Sequence, residues 1–215
     1  MVSCSGDEAH PARKDVGVRI GAGYSYSRTD LKWKSGIPQA AIDRHAIVVT
    51  GELRLTPRLS VQLGSGAAPG GTLAEDGSAH SIGPGWLLFT ALSYRLLDGR
   101  GSLPFVLASV SLATSSARTV DDRDPTQATH LYAFDARAGI TVGKTLFDVV
   151  SPYVAGRVFG GPVLWKFRGQ DQTGSDRYHY QPAVGAVLAL GRADLYAEWA
   201  FAGERSLGAG MGVSF

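Results

Sequence analysis

The chain has 215 residues, of which 44% are hydrophobic and 19% charged, with 28 glycines and a net charge of +2. That hydrophobic content excludes disorder along the whole chain, and near-neutral charge without a basic cluster excludes nucleic acid as a partner. No apolar stretch reaches the ~20 residues of a spanning helix, and a single cysteine, Cys4, excludes an intrachain disulfide.

The start, MVSCSGDEAHPARKD, has no apolar core of the signal-peptide kind. Residues 1–14 therefore read as a flexible tail, periplasmic if a signal has been removed, with Cys4 an ordinary tail cysteine. From residue 15 onward apolar and polar residues alternate with period two, and helical spacing is scarce. Ten strands are predicted, near 15–28, 45–55, 58–66, 82–96, 102–116, 129–143, 151–160, 178–191, 193–202 and 206–215. Their connections alternate in length. TPR at 56–58, LLDGRGS at 96–102, KTLFDVV at 144–150 and GR at 191–192 are short, whereas 29–44, 67–81, 117–128 and 161–177 are long and polar. Only the hairpin near Gly203, Glu204 and Arg205 breaks the rule. In an antiparallel meander alternate connections share an end, so one end is trimmed and the other carries loops.

One parity of the strands is apolar: Val16, Val18, Ile20 and Tyr24 on the first, Ile47, Val49, Leu53 and Leu55 on the second, and so on to Leu195, Trp199 and Phe201. A soluble carrier barrel would turn that parity inward. Three features favour the reverse. Aromatics cluster at strand ends, with Tyr24, Tyr26, Trp86, Tyr132, Phe134, Tyr178, Tyr180 and Phe201 towards the long loops and Tyr94 and Phe215 towards the short turns. Two such rings match two membrane interfaces. The polar parity mixes both charge signs with many glycines, which suits a crowded lumen. Finally, both termini fall at the short-turn end. The expected fold is all-β, a closed antiparallel up-and-down transmembrane β-barrel over residues 15–215, of about ten strands with eight as the alternative.

The chain ends in SLGAGMGVSF, with Leu207, Ala209, Met211, Val213 and Phe215 on one parity and glycines on most of the other. This ending resembles the C-terminal signal of small bacterial outer-membrane β-barrel proteins of the opacity-protein and OmpA type. The resemblance spans Asp15 to Phe215. It implies an outer-membrane location among lipid and lipopolysaccharide, with Phe215 read by the outer-membrane assembly machinery.

Inside, Arg19, Glu52, Arg54, Arg95, Asp135, Arg137, Arg157, Asp194 and Glu198 are expected to form a lumen charge network, because charges in a low-dielectric enclosure must be paired or hydrated. Since the last strand pairs with the first, Gly208, Gly210 and Gly212 are expected beside Gly17, Gly21 and Gly23 as a glycine seam. This seam either receives long side chains from the opposite wall or forms a narrow water path. The acidic run Asp121, Asp122 and Asp124 lacks the glycine and glutamate of a calcium loop, and no metal or other cofactor is expected. His45, His80, His130 and His179 sit at loop ends without metal spacing. His80 with Ser81, or His179, would need an orienting acid to act as a lipid hydrolase. Trp33, Trp165 and Phe167, flanked by lysines, are expected either to meet lipopolysaccharide phosphates or a partner protein, or to extend the girdle.

No catalytic motif is present. The expected role is a structural or partner-binding surface barrel with a filled polar lumen and an envelope or surface protein as partner. A narrow channel and a lipid-modifying hydrolase are the alternatives.

Overall fold

A computed structural model describes residues 17–33, 40–75, 78–99, 101–121, 124–167 and 170–215. The expected tail 1–14, Cys4 and Asp122 lie outside them, as do the side chains of Asp121, Asp124 and Phe167. The strands are β1 (Val18–Trp33), β2 (Ala40–Thr56), β3 (Leu59–Ala68), β4 (Gly71–Glu75), β5 (Ser78–Asp98), β6 (Phe105–Asp121), β7 (Asp124–Gly143), β8 (Val150–Gly160), β9 (Pro162–Phe167), β10 (Gln170–Asp176), β11 (Tyr180–Leu190), β12 (Ala193–Ala200) and β13 (Arg205–Ser214). All pair antiparallel, and β13 closes on β1 from Arg19↔Ser214 to Arg28↔Arg205. Closure leaves no sheet edge, the condition for a strand-built object in hydrocarbon.

Among the described residues thirteen strands form, not ten, and the excess has a local cause. The predicted third, seventh and eighth strands each continue past an interruption into a segment expected to be loop. The breaks fall at Pro69-Gly70, at Gly161 and at 177–179. The long polar stretches are thus mostly strand: β1 runs on to Trp33, β2 begins at Ala40, β4 and β5 cover most of 71–82, and β9 and β10 fill most of 162–176. Their polar outward residues hid an alternation whose inward members, such as Leu31, Trp33, Ile42 and Trp165, are apolar.

The ring changes size along its axis. At the turn end the hydrogen-bonded order is β1, β2, β3, β5, β6, β7, β8, β11, β12, β13 and back to β1, ten staves. The β12–β13 hairpin then stops at residues 201–204. Beyond it β10 crosses to pair directly with β1, Leu31↔Asp176 to Trp33↔Gly174. The upper ring is β1, β2, β4, β5, β6, β7, β9, β10, eight staves. The short upper turn near Glu204, anomalous in the sequence, is the step that narrows the barrel.

The outer wall at the ten-stave level is apolar. Val18, Ile20, Tyr24, Ile47, Val49, Leu53, Leu63, Leu88, Leu112, Ile140, Val154, Leu195, Leu207 and Met211 are all exposed. On β1 this face runs from Val18 to Tyr26, eight steps that at ~3.3 Å per residue and a tilt of ~40° span about 20 Å. A hydrocarbon band of ~25 Å is what an outer-membrane barrel presents. Above it the outward residues become Arg28, Asp30 and Lys32.

Candidate functional site

The lumen is filled at two levels by different chemistry. Near the turn end, Arg19 on β1 donates to Asp194 on β12, Nε to Oδ2 at 2.9 Å and Nη2 to Oδ1 at 2.5 Å, and lies 3.9 Å from Glu52 on β2. Arg157 on β8 donates to both oxygens of Glu198 on β12 at 2.8 and 2.5 Å, and to Gln181 at 3.1 Å. The Tyr153 hydroxyl also donates to Glu198, at 3.1 Å. Phe105, Leu107, Ala183 and Val187 pack with Tyr153 at this level. A ten-stave ring is too wide for short side chains to fill, so long charged and aromatic groups span it in mutually satisfied sets.

In the eight-stave ring, Leu31, Trp33, Ile42, Leu73, Ile82, Leu131, Val163 and Trp165 form a buried apolar cluster. Eight staves leave an interior that side chains fill. Trp33 and Trp165 are 4% and 3% exposed, with ring centroids 5.5 Å apart, so they do not project from the rim towards lipopolysaccharide or a partner. Trp165 Nε1 donates to Thr119 Oγ1 at 3.0 Å. His80 is buried edge-on against Trp165 at 5.2 Å, inside the cluster.

Between the two fillings lies a cavity of about 190 Å³. Leu31, Ile42, Leu131 and Val163 roof it, and Thr50 and Tyr196 lie towards its floor. Its wall carries Arg44, Asp135, Arg137, Asp176 and Glu204. Glu204 reaches in from the short turn and accepts both Nη groups of Arg137 at 2.9 Å, while Arg137 Nε donates to Asp135. Gln181 donates to Glu204 at 2.9 Å. Burial alone would raise the Glu204 carboxyl, but the Arg137 guanidinium outweighs it and holds the group below its ordinary value. At Asp176 the balance is reversed: burial and then the charge of Glu204 push it up to about 6, against the opposing effects of a bond from Thr29 and the charge of Arg137. Arg44 donates to Ser115 at 3.1 Å.

Of the nine residues expected in the charge network, Arg19, Glu52 and Asp194 meet in one set, Arg157 and Glu198 in a second, and Asp135 and Arg137 in a third. Arg54 and Arg95 lie at the turn-end mouth beside Ser60 and Leu107. Glu204, Arg44 and Asp176 were missed because their segments read as loop. Only the odd short turn at 203–205 marked that region of the sequence.

The glycine seam pairs Gly21 with Gly212, Gly23 with Gly210, and Gly208 with Ser25. Gly17 falls below the first β1–β13 partner and is exposed, so it is not part of the seam. The seam is covered by neighbouring strands, not from the far wall. A Cβ on Gly212 would lie 2.3 Å from Arg19 Nη2, and one on Gly210 2.5 Å from the Tyr196 ring. Side chains from β1 and β12 therefore lie against the seam at Gly212, Gly23 and Gly210.

The aromatic residues sit on the outer wall at both borders of the apolar band. Tyr24, Trp86, Tyr132, Phe134, Tyr180 and Phe201 are exposed at the upper border and Tyr94 and Phe215 at the lower, while Tyr26 and Tyr178 are half-buried. His45 accepts or donates at Tyr24, ring nitrogen to hydroxyl at 2.6 Å, and His130 stacks on Tyr132. His179 Nδ1 lies 3.1 Å from the Phe159 carbonyl.

The chain matches no protein-family profile and no characterised protein in sequence. In structure it is similar to the translocator domain of the autotransporter NalP from Neisseria meningitidis, at 12% identity over 95% of this chain and 90% of that one, with a TM-score of 0.52. An outer-membrane channel from Pseudomonas putida (14% identity, 94% and 96% covered, TM-score 0.48) and OprG from Pseudomonas aeruginosa (11%, 96% and 99%, 0.48) are further neighbours. With the apolar girdle on its own outer wall, the chain has the fold of the small bacterial outer-membrane β-barrel proteins and is an integral outer-membrane β-barrel.

Proposed function

We propose that this barrel is a closed surface protein: it anchors in the outer membrane and holds a stiff, strand-built rim above it for a partner in the envelope or at the cell surface. The observation that carries the reading is the double filling of the lumen, ionic in the wide ring and apolar in the narrow one. Opening a path would separate paired charges in a low-dielectric interior and unpack two indoles, each costing several kcal/mol. The rim supports a binding role because strands continue above the girdle, so its outer face is preorganised. The role is proposed as non-enzymatic, in keeping with histidines that contact aromatic rings or a backbone carbonyl.

The test is single-channel recording of the refolded protein in a planar bilayer. A silent membrane is expected from the wild type, and discrete conductance steps from Trp33→Ala/Trp165→Ala combined with Arg157→Ala. Steps of defined size in the wild type would overturn the closed reading and favour a narrow channel through the cavity.

A further inference from the structure

Just above the girdle, at the step from ten staves to eight, three exposed arginines occupy neighbouring backbone positions on β1, on β13 and at the end of β10. Arg28 on β1 and Arg205 on β13 are direct register partners, both exposed, with the Arg28 side chain 53% accessible. Like charges placed directly opposite in a sheet repel. Arg177, at the start of the segment that crosses the short hairpin, is tied to β1 by a bond from its amide to the Asp30 carbonyl at 2.8 Å. Its guanidinium lies 5.3 Å from the centre of the Tyr178 ring. The carboxylates facing this group are Asp30 on β1 and Asp43 on β2. Asp43 already accepts the Tyr26 hydroxyl at 2.6 Å and stands 3.8 Å from Arg28. Arg205 has no ion-pair partner among the described residues. Directly below lie Tyr26, Leu207 and Trp199, consecutive register partners on the lipid-facing wall.

We infer that Arg28, Arg205 and Arg177 form a site for the phosphate of an outer-leaflet lipid headgroup. A phosphate between Arg28 and Arg205 turns a repulsive pair into two charge-assisted forks, for which guanidinium geometry is well suited. The acyl chains of the same lipid would run down over Leu207 and Trp199. This arrangement places the cations at headgroup height and the apolar surface below it, the order in which a membrane presents phosphate and hydrocarbon. The inference is independent of whether the lumen conducts.

The test uses the full chain refolded in a zwitterionic detergent, titrated with bis-phosphorylated lipid A and followed by native mass spectrometry. Retention of lipid A is expected, with its fully dephosphorylated form retained at least about tenfold less, the effect of losing one strong charged contact. Inorganic phosphate at equal concentration should not displace it; displacement would assign the site to free phosphate and overturn the lipid source. Arg28→Gln/Arg205→Gln should lower retention by about tenfold or more, while Arg28→Lys/Arg205→Lys retains an intermediate share. Both variants should keep the heat-sensitive electrophoretic shift of a folded barrel. Equal retention of phosphorylated and dephosphorylated lipid by the wild type overturns the proposal without any variant, as does undiminished retention by a folded Gln double variant.

Discussion

Glu204 and Arg137 join the β12–β13 turn to β7 across the lumen, through two parallel bonds of 2.9 Å between groups whose side chains are each 12% accessible. The pair fixes the turn where ten staves become eight. Arg137→Ala would strand Glu204 and Asp135 as buried anions, and breaking one side of such a pair costs about 3–5 kcal/mol. Urea unfolding in lipid vesicles should show that loss. The triple variant Arg137→Met/Glu204→Gln/Asp135→Asn should recover a large part of it, because no unpaired charge then remains opposite the substitution.

Asp176 gives stability a pH dependence of unusual sign. Its carboxyl titrates near 6 in the folded chain against an ordinary value of 3.8. Between those values the folded state holds a proton that the unfolded state has released. Stability from this group is therefore greatest below about pH 4 and is lost as pH rises to about 6. Asp176→Asn should stabilise the barrel at pH 7 by about 1–2 kcal/mol and remove this component of the pH profile. An unfolding midpoint insensitive to the substitution at both pH 4 and pH 7 would refute the assignment.

The seam glycines should not be interchangeable with those facing lipid. A Cβ on Gly23 would lie 2.4 Å from the Tyr196 hydroxyl, and Gly210 is similarly covered, whereas Gly51 has nothing within 4 Å. Gly210→Ala is expected to cost about 1–3 kcal/mol by overpacking. Gly51→Ala should be neutral or slightly stabilising, through the reduced freedom of the unfolded chain. Equilibrium unfolding of the two variants side by side distinguishes them.

Phe215 is 62% accessible, and its amide donates to the Val18 carbonyl at 2.9 Å, a bond that needs no side chain. Phe215→Ala should leave stability after refolding from urea within about 1 kcal/mol of the wild type. If the assembly machinery reads the ring, the same variant should insert poorly into outer membranes in cells. Normal insertion in cells would reduce Phe215 to an interfacial anchor.

The sequence alone determined which face most strands turn to lipid, the fifth and seventh of the ten predicted being less clean, since side chains alternate strictly along a strand and a one-residue error would put Arg19 or Glu52 in hydrocarbon. It also marked the aromatic borders and the terminal strand that closes on the first. The extent of the strands above the membrane was not legible, because the outward residues there are polar and only the inward half of the pattern, Leu31, Trp33, Ile42 and Trp165, carries the signal. Which charges would meet was decided by the tertiary structure. Arg137 finds Glu204 only because the β12–β13 hairpin stops short and β10 bridges over it, which depends on stagger around the ring and not on local spacing. The same step aligned Arg28 with Arg205 and narrowed the lumen until apolar side chains could close it. Alternation is a property of each strand by itself; register and ring size are properties of all the strands together.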